Sequence, residues 1–464
     1  MTDIQEKNFD VRIIPAVAGE DRYIIYRPLA GLAFVGNRAM VDLVLNYIAG
    51  SATVEPPGEA GRFLRQIGFL QPDPSPPEHM KDAFHPTTAV LLLTNQCQLR
   101  CTYCYAAAGT LPKEELSVEL AYTVIDYVCR TAEKLERPYF DLALHGGGEP
   151  TYVWSVLKEC VAYARSKEIS ARISLTSNGV WSPAQRHWIT KNLDGVSLSI
   201  DGAPETQDQQ RPLRNGRASS PLVMETVAAL DKAQFPYGIR LTATPPFDSL
   251  PDDIAYLCSH SRCRYMQVEP AFNISRGGHG EMDEEGVEAF INSYLAAHEL
   301  AVKANRQLVY TGARLGDIKT TFCTAPFLAL IVNPSGDLVT CYEVTGDHSQ
   351  GCLSHIGRVV AGEDVEGSRI QIDHQIRRNL HSLMAERREA CRDCFCYWSC
   401  AGDCYMRTFV TGPNGHLNFG LRCQMNRRIL AELLLDAISQ GDGVWQKPRL
   451  QNVAHTHNRV GTGS

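Results

Sequence analysis

Between residues 87 and 306, short apolar stretches that suit β-strands alternate with amphipathic stretches that suit helices. The predicted strands are TAVLLLT, YFDLALH, ARISLT, DGVSLSI, YGIRLTA and RYMQVEP. The predicted helices start near Ser117, Thr151, Ser182, Ser220 and Pro251, and a sixth follows Met282. Six strand–helix units in series predict an α/β fold with a parallel sheet, either open and doubly wound or closed into a partial barrel.

The regions on either side of this repeat have different patterns. Residues 1–70 begin with three short strand-like stretches, DVRIIPA, RYIIYR and GLAFVG, and continue with two helical ones. That order is typical of a small winged-helix-like module. Four prolines in QPDPSPPEHM predict a linker over residues 71–86. Over residues 431–464 we expect the end of a helix and then, from Gly441, a flexible tail without periodicity.

Composition narrows the function classes. The chain has 464 residues, of which 44 % are hydrophobic and 21 % charged, as in globular proteins with real cores. Its formal charge is −7 and it has no basic run, which argues against nucleic acid or an anionic membrane surface as a partner. No stretch is apolar for the length of a bilayer, and the polar N-terminus is unlike a secretion signal. These features predict a cytoplasmic protein.

Sixteen cysteines are many for a chain in a reducing compartment, where clustered cysteines bind metals more often than they form disulfides. Three lie within residues 97–104, and nine lie between Cys323 and Cys423. The other four are scattered. Cys129 shares an apolar helical stripe with Val124, Ile125 and Val128 and is interpreted as a small core residue, and so is Cys160. The two dense groups are therefore the candidate metal sites.

Cys97, Cys101 and Cys104 follow the first predicted strand, and chemistry in parallel α/β folds collects at the carboxyl ends of strands. Three thiolates within eight residues suit a [4Fe–4S] cluster with one open iron, although a zinc knuckle uses similar ligands. The C-x₃-C-x₂-C spacing, with Tyr103 before the last cysteine, resembles the signature of the radical S-adenosylmethionine (SAM) superfamily. The resemblance implies a partial (β/α)6 TIM-like barrel over residues 87–306. It also implies that the open iron binds SAM and that one electron cleaves it to a 5′-deoxyadenosyl radical.

Further stretches match this superfamily at later strand ends: GGGEP after the second strand, TSNG after the third and SLSIDG after the fourth. Glycines permit close backbone approach to a ligand, and a carboxylate can accept from the SAM ammonium group. Ordinary turn and capping chemistry is the alternative for each residue taken singly. The resemblance implies SAM contacts from Tyr103, Gly146, Gly147, Gly148, Glu149, Ser177, Asn178, Ser199, Asp201 and Arg211.

The later cysteines resemble the SPASM extension of radical SAM enzymes that modify peptides and proteins. This domain would cover residues 307–430 and hold two auxiliary [4Fe–4S] clusters, which makes three with the SAM cluster. By this resemblance the distal auxiliary cluster is bound by Cys391, Cys394, Cys400 and Cys423, and the proximal one by Cys323, Cys341 and Cys404. The fourth proximal ligand is left open between Cys352, Asp317 and an iron that binds substrate. Zinc is the alternative metal, because C-x₂-C pairs are ordinary zinc ligands.

The N-terminal stretch YIIYRPLAGLAFVGN, the helix after it and LRQIGFL resemble the peptide-recognition modules of maturases that modify ribosomally made peptides. Such a module binds a leader peptide as an added strand at a sheet edge. A small winged helix could instead bind DNA, but no basic surface run supports that reading. The implied partners are a precursor peptide, with its leader on residues 1–70, and an electron donor such as a flavodoxin or ferredoxin.

The implied reaction begins with hydrogen abstraction from one residue of the peptide. Net oxidation needs an electron acceptor, and auxiliary clusters can serve as one, which favours an intramolecular thioether, carbon–carbon or carbon–oxygen crosslink. Glu343, two residues after Cys341, is the candidate general base, and an exposed strand carboxylate is the alternative for it. Peptide epimerisation and formylglycine formation in a sulfatase are the alternative reactions. A zinc-binding regulatory protein without turnover is the alternative from another class.

Overall fold

The computed structural model describes residues 9–16, 19–49, 56–80, 84–272, 276, 283–344, 353–360, 369–408 and 420–448. The chain divides into two compact units. We call Met1–Met80, Gly312–Phe322 and Glu386–Ala454 the module unit, and Lys81–Thr311 with Cys323–Ala385 the barrel unit. In the described part of the chain, no helix combines the length and apolar character needed to cross a membrane.

Strands and helices are numbered along the chain. The strands β1 to β15 are Arg12–Pro15, Tyr23–Arg27, Leu32–Gly36, Thr88–Leu92, Tyr139–His145, Ser170–Ser177, Gly195–Ser199, Tyr237–Ala243, Tyr265–Pro270, Gln307–Tyr310, Ala329–Val332, Asp337–Val339, His355–Val359, Ile370–Ile372 and Val444–Gln446. The helices α1 to α14 are Arg38–Ile48, Gly58–Gln66, Val118–Lys134, Trp154–Arg165, Pro183–Asn192, Pro204–Gln210, Ser220–Ala233, Leu250–His260, Glu284–Lys303, Ala325–Leu328, His374–Ala390, Tyr397–Cys400, Tyr405–Thr408 and Gly420–Gln440.

The barrel unit is built on one sheet with the order β10-β9-β8-β7-β6-β5-β4-β11-β12-β13-β14. Strands β4 to β10 pair in parallel in chain order, and helices intervene between them. All six predicted strands are present within a residue or two, which confirms the mixed α/β fold with a parallel sheet. Strand β10 was not predicted, because its four residues are too short to show a pattern.

The helix starts follow local capping chemistry. The Ser117 hydroxyl accepts from the Leu120 backbone N–H at the start of α3, and Ser182 forms a capping box with Gln185 at the start of α5. The Asp283 carboxylate caps α9. The predicted start near Thr151 is displaced by three residues, because a 3₁₀ turn over Pro150–Val153 precedes α4. Short polar side chains therefore mark where α3, α5 and α9 begin.

The core of the barrel unit lies between the parallel strands and their helices. Val90, Leu91 and Leu92 of β4 are fully buried, as are Val124 and Val128 of α3. Burying a side chain of this size contributes roughly 1.5–3 kcal/mol to folding. The predicted core positions Cys129 and Cys160 are also buried, at 4 % and 0 % exposure. Most side chains buried along these strands are apolar, and Ser197 of β7 and Gln267 of β9 are polar exceptions.

The residues after β10 were expected to form a separate C-terminal domain over 307–430, and the two compact units divide them differently. Strand β11 pairs in parallel with β4, and β12, β13 and β14 continue the same sheet in antiparallel fashion. A tight turn joins β11 to β12: the Asn333 side chain accepts from the Asp337 backbone N–H, and Gly336 has φ +86°. Strands β11 to β14 thus belong to the barrel sheet.

The module unit has an antiparallel sheet of order β1-β2-β3-β15. The expectation of a flexible tail from Gly441 is wrong for Val444–Gln446, which pairs with β3. Trp445 is 9 % exposed and its ring lies 6.2 Å from that of Tyr26, so one buried aromatic side chain anchors a strand too short for periodicity to reveal.

The start of the predicted linker is also ordered in the module unit. The Arg27 guanidinium pairs with the Asp73 carboxylate at 2.7 Å, and both side chains are buried. Arg27 also donates to the carbonyl of Gln71 at 2.8 Å. Linker residues 71–73 therefore pack on the module that precedes them.

Candidate metal centres and cofactor site

The loop after β4 brings together the thiols of Cys97, Cys101 and Cys104. Burial, with the nearby carboxylate of Glu149 and the thiol of Cys101, raises the pKa of Cys97 to about 12. Burial likewise raises the pKa of Cys101 to about 11. Without a metal these two thiols keep their protons, and binding a metal would release them.

The same loop is held by its backbone. The Arg276 guanidinium donates to the carbonyls of Cys101 at 2.6 Å and Ala108 at 2.8 Å. The N–H groups of Arg100 and Thr102 donate to carbonyls near the end of α6 at 2.8 and 2.9 Å. The backbone that carries the three thiols is thus held by hydrogen bonds to Arg276 and to the end of α6.

One hydrogen-bond pattern recurs at four of the predicted ligands. In each case the backbone N–H two residues further along donates to the cysteine sulfur at 3.4 Å. The pairs are Leu99 to Cys97, Ala325 to Cys323, Glu343 to Cys341 and Cys396 to Cys394. N–H donors stabilise negative charge on sulfur, and hydrogen bonds to the sulfurs help set the potentials of iron–sulfur clusters.

The GGGEP turn after β5 lies directly on the cysteine loop. The Gly148 N–H donates to the Thr94 carbonyl, and the Glu149 N–H donates to the Gln96 carbonyl, both at 2.8 Å. A Cβ added at Gly148 would lie 2.1 Å from the Gln96 carbonyl oxygen, and one at Gly146 would lie 1.7 Å from the Gly148 oxygen. At Gly146 and Gly148 the backbone is therefore approached closely by other backbone atoms of the chain, whereas the sequence analysis expected close approach by a ligand. Gly147 lines a small cavity with Thr94.

The Glu149 carboxylate is 2 % exposed and accepts four hydrogen bonds from the chain. Its Oε1 accepts from the Thr151 backbone N–H at 3.1 Å, the Thr151 hydroxyl at 2.7 Å and the Ser177 hydroxyl at 2.7 Å. Its Oε2 accepts from the Asn178 backbone N–H at 2.8 Å. Burial raises its pKa, and these hydrogen bonds oppose the rise. The carboxylate joins the ends of β5 and β6.

The TSNG turn after β6 reaches the first cysteine of the loop. The Asn178 side-chain amide lies 3.6 Å from the Cys97 sulfur as a donor, and its oxygen accepts from the Val180 N–H at 2.9 Å. The Trp181 indole N–H donates to the Ser177 hydroxyl at 2.9 Å. Both predicted residues are therefore fixed in place beside the cysteine loop.

The end of β7 contributes a buried ion pair. The Asp201 carboxylate accepts from the Arg211 guanidinium at 2.9 Å and from the Thr242 N–H at 2.9 Å. It also accepts from the Tyr103 hydroxyl. Arg211, predicted as a SAM contact, thus forms an ion pair with Asp201 of the same chain. Ser199, the last residue of β7, is partly exposed.

Residues 91–249 match the family described as the Radical SAM superfamily. These residues form a radical SAM domain. The chain is 26 % identical over 274 residues to the "Sporulation killing factor maturation protein SkfB" of Bacillus subtilis (strain 168), covering 56 % of this chain and 61 % of that protein. It is 24 % identical over 340 residues to the "Mycofactocin maturase MftC" of Mycolicibacterium smegmatis, covering 69 % and 78 %.

A solved structure has the same fold. "Native anSMEcpe with bound AdoMet" superimposes with a TM-score of 0.58 and 16 % identity, over 76 % of this chain and 99 % of that one. This likeness concerns the fold and agrees with the mixed α/β architecture built on a parallel sheet.

Aromatic and charged side chains that the sequence patterns did not reveal lie near the carboxyl end of β5. The rings of His145 and Tyr342 lie 4.8 Å apart. Burial and the nearby Arg240 guanidinium lower the pKa of His145 to about 4. Burial and the nearby Glu343 carboxylate raise the pKa of Tyr105. His145 ends the predicted strand YFDLALH, so its place at a strand end was a usable signal.

The barrel unit holds two of the predicted proximal ligands. Cys323 and Cys341 are both close enough to Tyr342 to raise its pKa, after the larger effect of burial. Cys352 lies outside the described residues. Asp317 lies 3.8 Å from Lys319 and, like Cys404, belongs to the module unit. The identity of the proximal ligands stays a prediction.

The four predicted distal ligands all lie in the module unit. The thiols of Cys394 and Cys423 raise the pKa of Cys391, which reaches about 11 chiefly because of burial. A hydrogen bond with the Cys396 side chain lowers the pKa of Cys394 to about 6. Cys396, which is not one of the predicted ligands, is 2 % exposed and lies near Cys394, Cys400 and Cys423.

Among the described residues, no group of three or more His, Cys, Asp or Glu side chains converges closely enough to hold a single metal ion. A [4Fe–4S] cubane does not need that convergence, because each thiolate binds a different iron. Thiols alone, with N–H donors aimed at their sulfurs, are a donor set that fits such a cubane.

Proposed function

We propose that this chain is a radical SAM maturase that acts on a ribosomally made precursor peptide. The observation that carries the proposal is the loop of Cys97, Cys101 and Cys104, held against the GGGEP and TSNG turns within a radical SAM domain. The similarity to the sporulation killing factor maturation protein SkfB and to the mycofactocin maturase MftC supports a maturase function.

The three thiolates would hold a [4Fe–4S] cluster, which when bound supplies the electron that cleaves SAM. The chain's own residues prepare that site. The Asn178 amide donates toward the Cys97 sulfur, and the Asp201–Arg211 pair locks Tyr103 beside the cysteines. We propose that Gly147 and Ser199, which these networks leave in partly exposed positions, contact SAM along with the polar residues predicted from the sequence.

Two auxiliary [4Fe–4S] clusters complete the proposed cofactor set. Cys391, Cys394, Cys400 and Cys423 would hold the distal one, and Cys323, Cys341 and Cys404 would bind the proximal one. These clusters would accept the electron released when the peptide is oxidised. Because crosslink formation is a net oxidation of the peptide, the proposed product is an intramolecular crosslink. Epimerisation is redox-neutral and does not need this acceptor. A flavodoxin or ferredoxin would supply the electron for SAM cleavage in the cytoplasm.

The module unit offers sheet edges for the leader of the precursor. In the described sheet, β1 and β15 are the outer strands, and β15 covers the outer side of β3. We propose that the leader adds to this sheet as a further strand, bound by backbone hydrogen bonds. Glu343, beside Cys341 and Tyr105, is the proposed general base for proton removal from the peptide.

The test of the proposal is metal content with SAM cleavage. After anaerobic reconstitution, three cubanes predict about twelve irons per chain, and Cys97→Ala, Cys101→Ala, Cys104→Ala should keep about eight and form no 5′-deoxyadenosine. Cys258→Ala, which alters a partly buried cysteine away from the predicted ligands, is the matched control and should keep both. About two zinc ions and no iron would contradict the proposal and favour a zinc-binding regulatory protein.

A further inference from the structure

The loop between Cys400 and Cys404 has an unusual backbone. Three consecutive residues have positive φ angles: Ala401 at +50°, Gly402 at +89° and Asp403 at +66°. For alanine and aspartate this conformation is unfavourable, so the surrounding structure must hold it. The Arg387 guanidinium holds it on one side by donating to the Gly402 carbonyl at 2.6 Å.

Asp403 holds the loop on the other side. Its carboxylate accepts from the Arg422 guanidinium at 2.8 and 3.0 Å and from the Cys404 backbone N–H at 2.8 Å. It also accepts from the Asn426 side-chain amide at 3.2 Å. Asp403, Arg422 and Asn426 are 7 %, 5 % and 1 % exposed. The charge of the Asp403 carboxylate is therefore balanced by Arg422 within a buried network.

Asn426 connects this network to a predicted cluster ligand. The same side-chain amide nitrogen lies 3.5 Å from the Cys400 sulfur as a donor. Asn426 sits one helical turn after Cys423 on α14, so that helix carries one predicted ligand and a donor to another. Because Asp403 accepts from the same amide group, the amide is turned with its N–H groups toward the sulfur.

We propose that Asn426 is a positioning residue that sets the reduction potential of the distal auxiliary cluster through its hydrogen bond to the Cys400 thiolate. The inference rests on the proposed function, because it assumes a cluster at these cysteines. A donor to a thiolate stabilises the more negative, reduced cluster and so raises its potential. Asp403 maintains the effect by fixing the orientation of the amide.

The experiment is a potentiometric EPR titration of the auxiliary clusters in the full chain with Cys97, Cys101 and Cys104 replaced by alanine. Asn426→Leu removes the donor at similar volume. At a fixed solution potential, its ratio of reduced to oxidised distal cluster should fall about tenfold, which for a one-electron couple is a shift of 59 mV. Asn426→Gln keeps an amide and should recover most of the shift. Gln440→Leu, an exposed change on the same helix, should cause none.

A purely structural role for Asn426 would lower iron content or thermal stability and leave the potential unchanged, and that result would overturn the inference. If Asn426→Leu does not fold, Asn426→Ala provides the same test, since it also lacks a donor. Absence of iron in the parent variant would instead contradict the proposed function. The two failures are therefore distinguishable.

Discussion

The two cysteine regions of this chain have the same kinds of polar contact, but different parts of the fold supply them. In each, an asparagine amide donates toward a cysteine sulfur: Asn178 toward Cys97 at 3.6 Å, and Asn426 toward Cys400 at 3.5 Å. Each also contains a buried aspartate–arginine pair, Asp201–Arg211 at 2.9 Å in the barrel unit and Asp403–Arg422 at 2.8 Å in the module unit.

The difference lies in where the supporting residues come from. In the barrel unit they come from the ends of separate parallel strands, brought together by the sheet. In the module unit they are close neighbours of the cysteines in sequence, since Asp403 precedes Cys404 and Arg422 precedes Cys423. The first site therefore depends on long-range strand order, and the second on a strained loop held by side chains of α11 and α14.

Breaking either ion pair should have the largest effect, and the effect should stay within its own unit. Asp201→Asn or Asp403→Asn leaves a buried arginine unpaired, which costs about 3–5 kcal/mol. We expect Asp201→Asn to lose about four irons, those of the SAM cluster. We expect the iron lost from Asp403→Asn to come from the auxiliary clusters. Iron analysis with EPR of the reduced proteins measures this. Equal loss from both sets of clusters in either variant would contradict the comparison.

The next effect concerns the carboxylate that joins two strand ends. Glu149→Gln keeps the side-chain shape but replaces one of the two accepting oxygens with an NH₂ group. At least one buried donor therefore loses its acceptor. The expected cost is about 1–3 kcal/mol, with weaker SAM binding in calorimetry. Glu159→Gln, on the exposed face of α4, is the matched control and should match the wild type. A Glu149→Gln protein with unchanged stability and SAM affinity would contradict this account of the turn.

Acid should weaken the barrel unit through His145. Its folded pKa is lowered to about 4, so at pH 5 the unfolded chain binds a proton that the folded chain does not. Lowering the pH from 7 to 5 should therefore destabilise the fold by about 1–2 kcal/mol, measured as the free energy of unfolding in denaturant. His145→Gln should lose that part of the pH dependence. An identical pH dependence in both proteins would show that His145 does not contribute.

The smallest effect should come from Cys396. Cys396→Ala removes a buried thiol without removing a predicted ligand, so we expect full iron content and a stability loss of about 1 kcal/mol. Cys394→Ala, two residues earlier, should lose the distal cluster. If Cys396→Ala instead costs the cluster, the predicted ligand assignment is wrong.

The sequence predicted the elements whose signals are local. The six predicted strands show either an apolar run, as in Thr88–Leu92, or apolar residues at alternate positions, as in Tyr139–His145. Hydroxyl groups such as those of Ser117 and Ser182 mark helix starts. The three-cysteine loop was recognisable because its ligands lie within eight residues at a strand end.

What the sequence could not reveal depends on tertiary pairing. Strands β12, β14 and β15 have three residues each and exist because a neighbouring strand is already in place. The roles of Asp403 and Asn426 were missed for a similar reason: 23 residues separate them in the chain. No local pattern in that stretch marks them as partners.

The most direct test of the central claim is 5′-deoxyadenosine formation by the reconstituted, reduced protein supplied with SAM. The account predicts that the wild type forms it, with an EPR signal that changes when SAM is added, and that the triple alanine variant of Cys97, Cys101 and Cys104 forms none. A wild type with a full set of clusters that neither cleaves SAM nor changes its EPR signal on adding SAM would contradict the claim that these three cysteines hold a SAM-cleaving cluster.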